Sequence, residues 1–110
     1  MTSLLIIAHA PLASALRDAA LHAFPEAAQA LAVYDVPAAT SAVQALAEAA
    51  ACLAGLGAAE TLILTDVFGT TPCNIARQLA EQPGVRVVAG VNVPMVWRAL
   101  NYRQKPLDEM

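Results

Sequence analysis

Four runs of almost uninterrupted apolar residues alternate with helical stretches, and this alternation limits the possible folds more than any other feature of the chain. The runs are SLLIIAH (3–9), LAVYDV (31–36), TLILTD (61–66) and VRVVAGV (85–91). A continuous apolar run is typical of a parallel strand that is buried on both faces. Strands that alternate with helices form right-handed βαβ units, so we expect one parallel sheet.

Proline, glycine and small polar residues mark the expected helix ends. The residues that open helices are Pro11, Ser41 with Gln44, Thr71 with Pro72, and Asn92 with Pro94. Ser41 and Gln44 have the spacing of a capping box. Thr71 is expected as an N-cap, with Pro72 as the first helical residue. Pro25 ends the first helix, and Gly55 or Gly57 ends the second.

These elements predict an α/β fold with one domain over residues 1–110. We expect an open, mainly parallel four-stranded sheet in the order 2-1-3-4, with helices on both faces, as in a flavodoxin-like three-layer sandwich. The strand order reverses between strands one and three, and ligands bind beyond the carboxyl ends of strands at such a point. His9 ends strand one and Asp66 ends strand three, so their side chains should lie together in this crevice.

The net charge and the motifs of the chain argue against several classes of function. The net charge is −3 and no basic run is present, which argues against nucleic acid as a partner. Cys52 and Cys73 form no CxxC motif, so neither a metal site nor a redox motif is indicated. Gly55 and Gly57 precede a strand instead of following one, so they are no dinucleotide fingerprint, and no cofactor is expected. Free thiols and the lack of a visible signal peptide suggest a cytoplasmic domain.

His9 and Asp66 together can support nucleophilic chemistry. If Asp66 accepts the proton on Nδ1, the Nε2 atom of His9 is left as an oriented nucleophile. The following loop, VFGTTP (67–72), leads into a helix N-terminus whose free backbone N–H groups favour an anion. A nucleophilic imidazole beside such an N-terminus indicates phosphoryl transfer.

Three segments resemble a known family. LLIIAHAPLASAL, LTDVFGTTPCNIA and VAGVNVPMVWRALN are similar to the signature segments of the mannose-family enzyme IIA domain of the bacterial sugar phosphotransferase system. The resemblance extends from about residue 3 to residue 104. It implies a phosphotransferase system component with a phosphohistidine intermediate on His9. The phosphoryl group would come from the histidine-containing phosphocarrier protein and pass to a IIB component.

The resemblance also implies roles for other residues. Asp66 would orient His9, while Phe68, Gly69, Thr70 and Thr71 would surround the phosphate. Asn92, in the family's G-V-N-x-P motif, and Ala10 would border the crevice. Contact with a membrane would be indirect, through a permease complex whose membrane component selects the sugar.

The chain departs from the family pattern in three places. Ala10 and Thr70 replace glycines that the family commonly has, and a Cβ at these positions narrows the allowed dihedrals. The family's C-terminal strand, which is exchanged across a dimer, is not expected in this chain. We nevertheless expect a homodimer, joined near strand four and the Trp97 helix by strand pairing or by helix packing. A tail, NYRQKPLDEM (101–110), that folds back as a short cap would instead leave a monomer.

Two other functions deserve comparison. The first is a regulatory module, in which phosphorylation of His9 controls binding to another protein. The second is a receiver domain with Asp66 as acceptor. A receiver needs acidic residues after strand one and a lysine late in the sheet, whereas this chain has His9-Ala10-Pro11 and its single lysine is Lys105.

Overall fold

The computed structural model describes residues 2–107, which contain four strands and four α-helices. In chain order these are β1 (Ser3–His9), α1 (Leu12–Ala23), β2 (Leu31–Val36), α2 (Ala42–Leu56), β3 (Thr61–Thr65), α3 (Thr71–Leu79), β4 (Val85–Ala89) and α4 (Val93–Asn101). A short 3-10 helix, Pro25–Ala30, precedes β2 and was not predicted from the sequence. No helix within the described part of the chain is long and apolar enough to cross a membrane.

The strands form one parallel sheet in the order β2-β1-β3-β4, which confirms the prediction. The central strand β1 pairs with β2 on one side and with β3 on the other. In register, Ile7 lies opposite Thr65 of β3, and His9 lies opposite Val36 of β2. The carboxyl ends of β1 and β3 therefore meet at the same edge of the sheet.

Each face of the sheet is covered by two helices. Leu4 and Ile6 of β1 pack under α1 and α4, whereas Leu5 and Ile7 pack under α2 and α3. Alanines with no exposed surface line these contacts on three of the helices; they are Ala13, Ala20, Ala45, Ala49 and Ala76. Small side chains let the helix axes approach the sheet closely, which explains the alanine-rich composition.

The ends of α2 follow the sequence prediction, and the start of α3 differs by one residue. The Ser41 hydroxyl oxygen accepts a hydrogen bond from the Gln44 N–H (3.1 Å), and Gly57 closes α2 in the left-handed conformation with φ of 61°. Thr71 was expected as the N-cap of α3, but the N-cap is Thr70, and Pro72 is the second helical residue.

The segment after α4 folds back onto the start of β1. The Thr2 N–H donates to the Arg103 carbonyl oxygen (2.8 Å), and Arg103 Nε donates to the Thr2 carbonyl oxygen (3.3 Å). Leu107 is 7% exposed and joins the core between α1, α4 and the sheet. The tail thus folds back, as in the alternative to the expected dimer, but it does so at the amino end of β1, and β4 stays an edge strand of the described sheet. Residues 108–110 of the tail lie outside the described residues.

Candidate active site

His9 is the last residue of a strand that is otherwise buried. The side chains from Ser3 to Ala8 are buried, whereas the His9 side chain is 52% exposed. The strand passes through the centre of the sheet between β2 and β3. His9 is therefore held on a rigid element, with half of its imidazole open to solvent.

Asp66 follows β3 directly and lies beside His9, as the sequence analysis predicted. One carboxylate oxygen, Oδ2, accepts a hydrogen bond from the His9 backbone N–H at 3.0 Å and lies 2.7 Å from His9 Nδ1. The Asp66 side chain is only 8% exposed. Because an ionised carboxylate can only accept, Nδ1 carries the proton in this pair. In the neutral imidazole, Nε2 then has a free lone pair, and no described residue makes a hydrogen bond to it.

The pKa of the Asp66 carboxyl is lowered by its contacts with His9. Burial alone would raise this pKa, but hydrogen bonds from the His9 backbone and ring oppose that effect. The backbone N–H of Val67 and the charge of His9 lower the pKa further. Asp66 is therefore ionised at neutral pH, as a residue that orients a histidine must be.

Two buried oxygens at this site make no hydrogen bond among residues 2–107. They are the second carboxylate oxygen of Asp66, Oδ1, and the hydroxyl oxygen of Thr65. Thr65 is fully buried at the end of β3. Buried polar atoms in proteins are almost always paired with protein or ordered water, so these two oxygens are available to a water molecule or a ligand.

The loop between Asp66 and α3 presents a helix N-terminus without a side-chain cap. The Thr70 hydroxyl donates to the Val67 carbonyl oxygen (2.6 Å) and does not cap α3. By contrast, the first turns of α2 and α4 are capped by Ser41 and Asn92. The free N–H groups of the first turn of α3 therefore remain available to an anion.

Ala10 and Thr70, the two positions where the resemblance implies glycine, do not adopt a positive φ. Thr70 has φ of −93°, and no non-glycine residue in the described chain, Ala10 included, has a positive φ. Gly69, which precedes Thr70 in the loop after Asp66, has φ of 84°, a conformation that favours glycine. Ala10 also donates its N–H to the Val36 carbonyl oxygen (3.1 Å), which ties the residue after His9 to β2. The loops accommodate both substitutions.

Phe68 and Thr71 are both exposed. The Phe68 side chain is 74% exposed, and the Arg77 guanidinium carbon lies 5.9 Å from the centre of its ring. Phe68, Gly69 and Thr70 belong to the loop that follows Asp66, and Thr71 is the first residue of α3. Their contact with a phosphate remains a prediction.

Asn92 stands at the start of a helix, as its sequence pattern indicated, and its side chain caps that helix. Its side-chain Oδ1 accepts a hydrogen bond from the Met95 N–H (2.9 Å) and so caps α4. The loop that carries Asn92 is nevertheless attached to the site, because the Gly90 N–H donates to the Asp66 carbonyl oxygen (2.7 Å). Val91 N–H similarly donates to the Thr65 carbonyl oxygen (2.9 Å).

Asp35 also supports the site, although it was not singled out from the sequence. Its Oδ1 accepts a hydrogen bond from the Ser14 N–H (3.1 Å), and the Ser14 hydroxyl donates to its Oδ2. Asp35 lies on β2 opposite Ala8, so this carboxylate fixes the first turn of α1 next to His9. The signal was available, because LAVYDV is another apolar run with an aspartate near its end.

Comparison with protein families gives one match over nearly the whole chain. The family model EIIA-man, described as PTS system fructose IIA component, matches residues 3–109. No curated protein sequence matches the chain significantly.

Solved structures with the same fold include several components of this transport system. A mannose/sorbose specific IIA subunit of the phosphotransferase system from Enterococcus faecalis has a TM-score of 0.87 and 29% identity, over 98% of this chain and 82% of that one. Phosphotransferase system component EIIA from Streptococcus agalactiae has a TM-score of 0.85 and 22% identity, over 99% and 85%. A sigma-54 interaction domain protein from Enterococcus faecalis has a TM-score of 0.75 and 14% identity, over 98% and 83%, and shows likeness of fold alone.

Proposed function

Because this chain belongs to the EIIA-man family of PTS IIA components, we propose that it is a phosphocarrier with a phosphohistidine intermediate on His9. It accepts a phosphoryl group from the histidine-containing phosphocarrier protein and passes it to a IIB component during sugar uptake. The observation that carries the proposal is the 2.7 Å contact between His9 Nδ1 and Asp66 Oδ2, which leaves Nε2 as the free nitrogen. The proposal places the protein in the cytoplasm, with membrane contact only through a permease complex.

The orientation of His9 by Asp66 suggests how the phosphoryl group would be transferred. The Nε2 lone pair attacks the phosphorus of the donor's phosphohistidine, an N–P bond forms on His9, and the donor nitrogen keeps the electron pair of the broken bond. The His9 ring then carries a positive charge, with its Nδ1 proton still held by Asp66. The Asp66 carboxylate stabilises that charge, as an aspartate does for a catalytic imidazolium in serine hydrolases.

The phosphoryl oxygens need hydrogen-bond donors, and the loop after Asp66 supplies them in this proposal. The uncapped first turn of α3 offers backbone N–H groups, and the exposed hydroxyl of Thr71 lies at its first residue, whereas the Thr70 hydroxyl proton is held by the Val67 carbonyl oxygen. Negative charge at a helix N-terminus is favoured by about 0.3–1 kcal/mol at an exposed position. This contribution helps to hold the phosphoryl group on His9 between its two transfers.

Phosphorylation from purified components tests the proposal. The protein is incubated with phosphoenolpyruvate, enzyme I and the phosphocarrier protein, and the modified residue is mapped by mass spectrometry. We expect an acid-labile, base-stable phosphate on His9, and none in His9→Ala. His22→Ala is the matched control, because His22 is exposed at the end of α1 and has no carboxylate partner among residues 2–107. Undiminished labelling of His9→Ala would contradict the assignment.

The alternative function is regulatory, with the phosphorylation state of His9 controlling the binding of a target protein. Likeness of fold to a sigma-54 interaction domain protein is compatible with this role but does not favour it. The two functions share the chemistry of His9 and differ in the next step. Transfer of label from the phosphorylated protein to a IIB component supports the carrier, whereas a target captured by only one phosphorylation state supports the regulator.

We also propose that the protein is a homodimer. Of the two modes that the sequence left open, packing of α4 is supported by Trp97, which is 42% exposed in the middle of that helix. A large apolar side chain exposed on a helix is a common centre of an interface. Sedimentation equilibrium near micromolar concentration should give twice the chain mass, and Trp97→Ala should shift the distribution towards monomer. A mass of 11.4 kDa for the wild-type protein would contradict the dimer.

A further inference from the structure

The connections at the carboxyl edge of the sheet are free of charged residues. None of the four segments that follow the strands contains lysine, arginine, aspartate or glutamate; they are residues 9–16, 36–47, 67–76 and 89–96. Two carboxylates lie directly beside these segments, and both accept hydrogen bonds, Asp35 from Ser14 and Asp66 from His9. The surface around His9 therefore offers a partner few charges with which to pair.

Several acidic residues belong to the opposite, amino edge of the sheet. Glu60 precedes β3, and Glu81 follows α3. Asp108 and Glu109 lie outside the described residues, and the segment before them returns to the amino end of β1. A strand as long as β1 spans about 20 Å, whereas the Debye length is about 8 Å at physiological salt. Charges at the amino edge, such as those of Glu60 and Glu81, are therefore screened from the surface around His9.

The carboxyl edge also exposes the three most accessible large apolar side chains of the described chain. They are Val43 (81% exposed), Phe68 (74%) and Val67 (57%). Val43 lies in the first turn of α2, whereas Val67 and Phe68 lie in the loop after Asp66. Leu12, in the first turn of α1, is also exposed at this edge. Exposed apolar side chains that share one surface mark an interaction site.

A protein that exchanges a phosphoryl group with His9 has to lie on this edge. The molecule measures 34 × 29 × 23 Å, so the area of one of its ends is on the order of 800 Å², about what one partner buries in a standard interface. His9 ends β1, which lies inside the sheet between β2 and β3. A partner that reaches Nε2 therefore covers most of the edge, together with its apolar side chains.

Given the carrier function proposed above, on which this inference rests, we propose that the phosphoryl donor is recognised by apolar contact and not by ion pairs. The donor surface around its phosphohistidine is apolar and carries no charge besides the phosphoryl group. Val43, Val67 and Phe68 lose their contact with water when the donor docks. Because neither surface steers the other electrostatically, the association rate depends little on salt.

The salt dependence of phosphoryl transfer tests this form of recognition. Rapid-quench measurements with the phosphorylated phosphocarrier protein give the second-order rate constant for labelling of His9. We expect this constant to change by less than about twofold between about 50 and about 500 mM salt. An association steered by charge would instead slow by about tenfold or more over the same range.

Charges of both signs at Val43 make the test sharper. Val43 lies outside the site of chemistry and is exposed, so Val43→Glu and Val43→Lys should keep the fold. Each should lower the rate constant by roughly three- to tenfold, because a charge that loses water at an apolar contact finds no partner there. Gln82→Glu and Gln82→Lys are the matched controls, since Gln82 is exposed at the amino edge and its charge should have no effect.

Three results would overturn the inference. Opposite effects of the two charges at Val43 would identify a charged partner surface, and unchanged rates in both variants would show that this surface is not covered. A strong salt dependence that disappears in Arg77→Gln would assign recognition to Arg77, whose guanidinium carbon lies 5.9 Å from the centre of the Phe68 ring. Each of these results leaves the carrier function standing, whereas the absence of any label on His9 would contradict the carrier as well.

Discussion

The backbone N–H and the ring Nδ1 of His9 are both directed at the same oxygen of Asp66, Oδ2, at 3.0 and 2.7 Å. One carboxylate oxygen thereby positions the end of β1 and also fixes the rotation of the imidazole. The other oxygen, Oδ1, is buried without a partner among the described residues. A change at Asp66 consequently affects both the reactivity of His9 and the stability of the fold, and the two effects can be measured separately.

Asp66→Asn should slow phosphorylation of His9 by roughly 10- to 150-fold. The amide oxygen can still accept the His9 N–H, but it cannot stabilise positive charge on the ring as a carboxylate does. A charge-assisted hydrogen bond contributes about 1.5–3 kcal/mol, and about 1.4 kcal/mol corresponds to a factor of ten in rate. Rapid-quench measurements with the phosphorylated phosphocarrier protein give the rate, and circular dichroism checks the fold. A folded variant with the wild-type rate would leave Asp66 with a structural role only.

The stability that Asp66 contributes should disappear in acid. Its pKa is lowered below the ordinary value of 3.8, because hydrogen bonds and charge from His9 outweigh the effect of burial. A lowered pKa in the folded state means that the ionised form stabilises the fold. This contribution is complete above about pH 5 and is lost as the pH falls through the lowered pKa. The difference in free energy of unfolding between wild type and Asp66→Asn should therefore shrink from about pH 5 to about pH 3 in urea titrations. A constant difference would contradict the assignment.

Asp35→Ala should destabilise the protein by about 1–2 kcal/mol, the usual range for loss of a helix cap. The variant removes the carboxylate that accepts hydrogen bonds from the backbone and the hydroxyl of Ser14 in α1. Urea unfolding measures the loss. Asp18→Ala is the control, because Asp18 is exposed on the same helix and its change should remain within about 0.5 kcal/mol. Equal effects of the two substitutions would show that Asp35 does not cap α1.

Gly84→Ala should cost more than about 2 kcal/mol, because it combines backbone strain with a collision. Gly84 has φ of 78°, and a Cβ at this position would lie 2.3 Å from the Ala59 carbonyl oxygen. Gly55→Ala is the matched control. Gly55 lies within α2, and a Cβ there has no neighbour within 4 Å, so this change should stabilise the protein by up to about 1 kcal/mol. Thermal unfolding of both variants tests this prediction. Similar melting temperatures for Gly84→Ala and Gly55→Ala would contradict it.

The sheet order and the pairing of His9 with Asp66 could be predicted because both depend on strong, repeated signals. A continuous apolar run such as Leu4–Ala8 can be buried on both faces only in the middle of a parallel sheet. Polar residues at the ends of two such runs then meet at the point where the strand order reverses. Neither inference needs the exact length of a helix or the path of a loop.

Most of the details that were missed depend on local turn geometry, and one depends on a contact between residues far apart in the sequence. Thr70, and not Thr71, is the N-cap of α3, in a turn where the Thr70 hydroxyl donates to the Val67 carbonyl oxygen. Asn92 was assigned to the crevice from its motif, but a polar residue before a helix also favours capping, and here it caps α4. The return of the tail to Thr2 spans 101 residues between Thr2 and Arg103, and no local pattern signals it.

The anchoring of His9 on the central strand has a consequence for the kinetics of the proposed carrier. The strand that carries the reactive nitrogen cannot swing between two partners, since six of its seven side chains are buried. Donor and acceptor must instead visit the same nitrogen one after the other, and each excludes the other while it is docked. We therefore expect ping-pong behaviour with mutual competition, so that an excess of unphosphorylated donor slows delivery to the acceptor even when the carrier is fully charged.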